Sequence, residues 1–137
     1  MVKRVWVNGS FDVLHIGHIS LLEYASSFGN VRVGIDTDER IKEKKGNNRP
    51  YNILKDRIKF LSSIKFVDSI VTFSSDDELI HRIKEYSPNI MVIGDDYKNK
   101  NIIGIDYIPN VFYFSRVPNK STSQILNYDK TNSLSRM

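Results

Sequence analysis

Cysteine is missing from all 137 residues, so disulfides and thiolate metal sites are excluded. No run of 18 apolar residues occurs, so no membrane-spanning helix is expected. The opening stretch, Met1-Val2-Lys3-Arg4-Val5-Trp6-Val7-Asn8, lacks the apolar segment and cleavage site of a secretory leader. It reads as a strand, and a cytoplasmic location is the default expectation. Internal repeats and low-complexity stretches are also absent, which leaves no sign of a repeat array.

What is present suits one domain of this length, with an apolar fraction of 40% to supply one core. We expect that domain over residues 1–128, followed by a polar tail over 129–137. The net charge is +4 and the pI about 9.3, which suggests an anionic ligand. The lysines form no long stripe. They gather at Lys42, Lys44 and Lys45, and again at Lys98 and Lys100. Local clusters fit a small polyphosphate better than a nucleic-acid backbone, although solvated surface lysines would look the same.

Strand and helix periods alternate along the chain. Lys3–Asn8 predicts a first strand, and His18–Phe28 a helix with Ile19, Leu21, Leu22 and Ala25 on one face. Gly29 stands where a C-cap glycine would. Val31–Asp36 is apolar enough for a buried parallel strand, and Thr37–Pro50 is polar and basic, as a mobile loop would be. Asn52 can cap a helix to about Ile64, on which Ile53, Leu54, Ile58 and Leu61 share a face. Further strands are expected at Phe66–Phe73, Ile90–Ile93 and Val111–Phe114. A helix capped by Ser74 or Ser75 should end before Pro88, and a short helix should span Ser121–Asn127. This order predicts an α/β domain, a parallel five-stranded sheet with helices on both faces. Such sheets bind ligands beyond the carboxyl ends of their strands.

The loop after the first strand reads Gly9-Ser10-Phe11-Asp12-Val13-Leu14-His15-Ile16-Gly17-His18. A helix starting near His18 offers backbone N–H groups to an anion. Gly17 leaves room for close approach, and His15 and His18 can each turn a ring N–H toward the same spot. Such a pocket can hold phosphate oxygens whose charge grows during a displacement. Two histidines at this spacing lack a third ligand nearby for a metal, and the run is not a Gly-x-Gly-x-x-Gly dinucleotide fingerprint.

That loop resembles the His-x-Gly-His signature of the cytidylyltransferase-like nucleotidyltransferases, and the likeness extends over roughly residues 3 to 127. It implies a single Rossmann-like domain. It also implies that Gly9, Ser10, Phe11 and Gly17 line the nucleotide site, with His15 and His18 on the triphosphate. Lys45-Gly46-Asn47-Asn48-Arg49-Pro50 resembles the Lys-Gly-x-x-Arg-Pro run of the heptose-phosphate branch. There Lys45 would reach the α-phosphate or the acceptor phosphate. Arg57 lies at the place of an arginine common in the family; it can bind phosphate or pair with Asp56 or Asp68. Gly94-Asp95-Asp96-Tyr97 resembles a family segment at the same strand end, where Gly94 and Asp95 would face the nucleotide and Asp96 the acceptor, although an ordinary turn has the same sequence. Arg116-Val117-Pro118-Asn119-Lys120-Ser121-Thr122-Ser123 resembles the final Arg-Thr-x-Gly-x-Ser-Thr-Thr segment. It departs from that pattern at Asn119, Lys120 and Ser123. Arg116, Ser121, Thr122 and Ser123 would hold phosphates, though Ser121 can equally be a plain N-cap.

The resemblance implies transfer of a nucleoside monophosphate unit to a phosphorylated acceptor. An acceptor phosphate is already a nucleophile at neutral pH, so no general base is needed. His15, His18, Lys45 and Arg116 would supply the positive charge. Asp12, Asp38, Lys45, Arg57 and Asp96 would meet the acceptor, and Mg²⁺ would travel with the triphosphate rather than on protein ligands. Gly94-Asp95-Asp96 and Arg116 lean toward the glycerol-phosphate branch and CTP. The Lys45–Pro50 run, Tyr97 and the Phe73–Glu78 region lean toward the heptose-phosphate branch, which uses ATP. CTP with a phosphorylated polyol or sugar, such as glycerol 3-phosphate, is the first expectation. ATP with a heptose or other sugar 1-phosphate is the alternative. A nucleotide-binding module without turnover is a third reading, but the histidine pair and the Ser-Thr pair it would lose are intact. The resemblance also implies a homodimer formed through the active-site face, near the first helix and the loop after strand two; neither a nucleic-acid nor a membrane partner is expected.

Overall fold

In the computed structural model, residues 2–95 and 100–115 are described. Five parallel strands form one sheet in the order β3-β2-β1-β4-β5. They are β1 (Arg4–Gly9), β2 (Asn30–Asp36), β3 (Ser69–Phe73), β4 (Ile90–Gly94) and β5 (Asn110–Phe114). The strand order reverses between β1 and β4, so their carboxyl ends diverge and leave a crevice. The expected sheet with helices on both faces is therefore present.

Two apolar layers hold it together. On one face α1 (Ile16–Ser26) and α3 (Leu54–Ser62) bury Leu22, Ala25 and Leu61 against Val5, Val7, Val31, Val33 and Ile35. On the other, α4 (Asp76–Tyr86) sets Leu79 and Ile83 against Trp6, Phe73, Met91 and Ile93. Alternation along β1 sends Val5 and Val7 to the first layer and Trp6 to the second, as the two-residue period of a strand requires. The Trp6 ring packs against Gly34, where an added Cβ would come within 2.5 Å of it.

Several sequence expectations need correction. The stretch Thr37–Pro50 is not all loop: α2 (Asp38–Lys45) occupies most of it. Thr37 caps this helix by accepting from the Arg40 N–H. Asp38 and Glu39 fill its first turn, and Lys42, Lys44 and Lys45 its last. Both charge placements suit the helix dipole. Asn52 does not cap α3, whose N-cap is Ile53 with no side-chain bond. Gly29 is not a left-handed cap either: α1 ends with Ser27 in right-handed geometry. Gly29 is instead pressed against the Lys3 carbonyl, where a Cβ would collide. β3 begins at Ser69 rather than Phe66, and a 3₁₀ turn at Ile105–Tyr107 went unforeseen. Ser75 does cap α4, accepting from the Glu78 N–H, while the Glu78 carboxylate accepts from the Ser74 N–H. The expected helix at Ser121–Asn127 lies outside the described residues.

Candidate active site

The crevice at the carboxyl ends of β1 and β4 contains a cavity of about 470 Å³. One wall is the turn into α1. That helix starts at Ile16, not His18, and His15 is its N-cap. The His15 Nδ1 accepts from the Gly17 N–H at 3.0 Å, and the His18 Nδ1 accepts from the His15 N–H at 3.1 Å. This is a reciprocal capping box built from two imidazoles. A ring nitrogen that accepts carries no proton, so each neutral ring bears its proton on Nε2. The two rings lie 4.0 Å apart between centroids, tilted by 40°. Phe11 packs 5.3 Å from His18 and holds a left-handed φ of 49°. Backbone strain of this kind in a non-glycine residue often marks a functional turn.

Around this wall the structure gathers Gly9, Ser10, Phe11, Gly17 and Gly94, all expected for the nucleotide, together with His15, His18 and Lys45. Lys45 stands in the last turn of α2, with its Nζ 3.4 Å from the Ser10 hydroxyl. Leu21, Val92, Ile102, Ile103 and Phe114 supply apolar lining.

Other expected contacts fall elsewhere. Asp12 is 5% exposed, and its carboxylate is occupied in holding the loop before α3. It accepts from the backbone N–H groups of Tyr51 at 2.9 Å and Asn52 at 2.8 Å, and pairs with Arg49 at 3.5 Å. Arg57 is fully buried and pairs with Asp38 at 2.6 Å, rather than with Asp56 or Asp68. It also donates to the carbonyls of Asn52, Ser10 and Asp36. None of Asp12, Asp38 and Arg57 lines the cavity; in this structure each is engaged in ties within the protein. Asp95 accepts from the Ser115 hydroxyl at 3.1 Å, joining the ends of β4 and β5, and is likewise outside the lining. Asp96, Tyr97, Arg116, Ser121, Thr122 and Ser123 lie outside the described residues.

The cavity also holds Lys44 of the basic cluster, and Asn8, Asp36, Arg40 and Asn101, to which the sequence had assigned no role. Arg40 is 5% exposed. It pairs with Asp36 at 3.2 Å and Asp76 at 2.6 Å, and lies over the Phe73 ring. The hydrogen bond from Arg40, followed by its charge, draws the Asp76 carboxyl below its ordinary 3.8. Among the described residues no three His, Asp or Glu side chains cluster as metal ligands, and no helix is long and apolar enough to cross a membrane.

Residues 6–125 match the family model described as cytidylyltransferase-like. The chain belongs to the cytidylyltransferase-like nucleotidyltransferases. It is 42% identical over 124 residues to the bifunctional protein HldE of Campylobacter fetus subsp. fetus, and 40% identical over 125 residues to that of Helicobacter hepaticus. Each alignment takes in 90% of this chain but only 27% and 26% of the relative. This nucleotidyltransferase thus spans about a quarter of the length of the curated relatives it matches. Among solved structures, the lipopolysaccharide core biosynthesis protein of Thermoplasma volcanium superposes with a TM-score of 0.68 at 24% identity, covering 85% of this chain and 99% of that one. The pantoate-beta-alanine ligase of Francisella tularensis, complexed with a nucleotide, gives 0.63 at 20% identity over 92% of this chain and 65% of its own. These two likenesses concern the fold alone.

Proposed function

We propose that this nucleotidyltransferase moves the AMP unit of ATP onto a sugar 1-phosphate of the heptose type and releases pyrophosphate. The observation that carries the reaction is the pair of imidazoles that line the cavity at the start of α1, with their Nδ1 atoms accepting from the backbone. An acceptor phosphate oxygen forms the new bond to the α-phosphorus. The bond from the α-phosphorus to the bridging oxygen breaks, and pyrophosphate leaves with the electron pair. Charge grows on the phosphate oxygens, where His15, His18 and Lys45 can meet it. The α1 N-terminus adds its dipole. Mg²⁺ would be held by the triphosphate and would neutralise part of its charge.

The choice of ATP departs from the first sequence expectation. CTP was favoured by Gly94-Asp95-Asp96 and Arg116. Of these, Asp95 is taken up by Ser115, and Asp96 and Arg116 lie outside the described residues. The relatives named HldE, together with the Lys45–Pro50 run, support the heptose-phosphate side of the family and hence ATP. We also expect two copies to associate, a proposal supported by exposed Val13, Ile16, Tyr51 and Ile53 about the Asp12 tie.

The test is pyrophosphate release from ATP or CTP with Mg²⁺ and pooled sugar 1-phosphates or glycerol 3-phosphate, with product masses read in parallel. ATP with a sugar 1-phosphate should win clearly, because a pocket built around one base edge discriminates by about 10⁴ or more. Faster turnover of CTP would restore the cytidylyl reading. No release under any combination would leave a nucleotide-binding module.

A further inference from the structure

The cavity straddles the end of the sheet, and its two halves differ in chemistry. The histidines, Gly9 and Phe11 lie on the α1 side. On the α4 side Asn8, Asp36 and Arg40 stand over Phe73, Leu79 and Ile93. The side of each strand residue is fixed by register: Asn8 pairs with Gly34, and Gly34 and Asp36 share a face two residues apart. Trp6, which covers Gly34, donates its Nε1–H to the Asn8 Oδ1 at 2.8 Å. That bond sets the amide orientation and leaves the Asn8 Nδ2 as a donor.

Arg40 uses Nε on Asp36 and Nη2 on Asp76. Its Nη1 makes no hydrogen bond to any described residue, yet none of their side-chain nitrogens or oxygens is both buried and unsatisfied. Nη1 therefore reaches solvent, and the side chain that carries it lines the cavity. Asp36 spends Oδ2 on Arg40 and has Oδ1 left to accept. Two carboxylates against one guanidinium give the trio a net negative charge, which disfavours a phosphate here.

Resting on the nucleotidyl-transfer reading, we infer that Asn8, Asp36 and Arg40 form the acceptor's hydroxyl-recognition subsite. Donor, acceptor and donor alternate over an apolar floor, which suits vicinal hydroxyls on a polyol or sugar ring. The neutral, hydroxylated body of the acceptor sits between the ends of β2 and β3. Its phosphate points away from Asp36, toward Lys45 and the histidines. Arg40 is a specificity-determining residue here, and Asp76 positions it from α4.

The test is calorimetric titration of α-D-mannose 1-phosphate and propyl phosphate into protein saturated with α,β-methylene-ATP and Mg²⁺. Hydrogen bonds to charged groups make the hydroxylated probe bind at least about 10-fold more tightly than propyl phosphate. Asp36→Asn should bring that ratio toward one while leaving propyl phosphate within about threefold of its wild-type affinity. Asn8→Asp keeps an acceptor for Trp6 but exchanges the amide donor for a charged acceptor, so the hydroxylated probe should lose more affinity than propyl phosphate and the same ratio should fall. A wild-type ratio near one, a ratio unchanged in both variants, or equal weakening of both probes overturns the subsite while the nucleotide still binds. Failure to bind the nucleotide analogue overturns the nucleotidyl-transfer reading as well.

Discussion

Replacing Arg57 with methionine should unfold much of the site's support without removing a ligand contact. The guanidinium is fully buried on α3. It donates to the Asn52 carbonyl at 3.0 Å, the Ser10 carbonyl at 3.0 Å, the Asp36 carbonyl at 2.7 Å and the Asp38 carboxylate at 2.6 Å. Methionine fills most of the volume but donates nothing. Asp38, whose side chain is 28% exposed, can recover water; the carbonyls recover it less readily. Breaking one side of a buried charged pair typically costs about 3–5 kcal/mol. The four lost bonds act as one network, so we take about 4 kcal/mol for the whole rather than adding them. That is a large share of the roughly 5–15 kcal/mol that holds a domain together. At roughly 3–5 °C per kcal/mol for a chain of this size, the melting temperature should fall by about 12–20 °C. The assay is thermal and urea unfolding followed by circular dichroism, with nucleotide affinity measured below the transition. Wild-type stability combined with lost phosphate binding would refute the argument and return Arg57 to the ligand.

Four further outcomes can be checked. His18→Ala should lower kcat by about 10²–10³ through loss of a phosphate donor. Because His18 also closes the α1 cap, the same change should cost about 1 kcal/mol in urea unfolding. Lys45→Met should lower kcat/KM by about 10²–10³ in steady-state assays with folding unchanged, since among the described residues the Lys45 Nζ reaches only the Ser10 hydroxyl, at 3.4 Å in an exposed hydrogen bond. Gly34→Ala forces a Cβ against the buried Trp6 ring and should cost about 1–3 kcal/mol by denaturant midpoint. For Asp76, a folded-state pKa held below 3.8 by Arg40 means a stabilisation present above the ordinary carboxylate range. It is lost as pH falls through the lowered value. The difference in melting temperature between wild type and Asp76→Asn should therefore be flat from neutral pH to about 5 and shrink below about 4.

The parts of the fold that the sequence made legible are those where apolar periodicity carries the signal. β1, β2, α3 and α4 each present a buried face, and the strand ends fell where the apolar runs stop. α2 was missed because Ile41 is the only apolar residue among Asp38–Lys45, so no face repeats. Its helix was written instead in charge: Thr37 as cap, acids in the first turn and lysines in the last. The burial of Arg57 was hidden because its type was weighed before its position. It falls at the i+3 place of the face formed by Leu54, Ile58 and Leu61, and a residue there points inward. Arg40 looked like one more member of a solvated basic run; its burial depends on Asp76, thirty-six residues away, which no local pattern reveals. The histidine pair was found by its motif, but its role in starting α1 was hidden, since imidazole is not among the usual N-cap side chains.

That double use of His15 and His18 limits what could replace them. Each position needs a side chain that accepts from the backbone at its near end and presents a donor at its far end, with a rigid body between. Lysine and arginine carry charge but cannot accept. Serine and threonine accept but are too short to project a donor beyond the helix start. Aspartate accepts at both ends and would face the triphosphate with like charge. Asparagine has both functions but a shorter reach. Fold and chemistry thus read the same two rings from opposite sides. A substitution chosen to spare one will disturb the other, and activity and helix stability should decline together across a mutant series at either position.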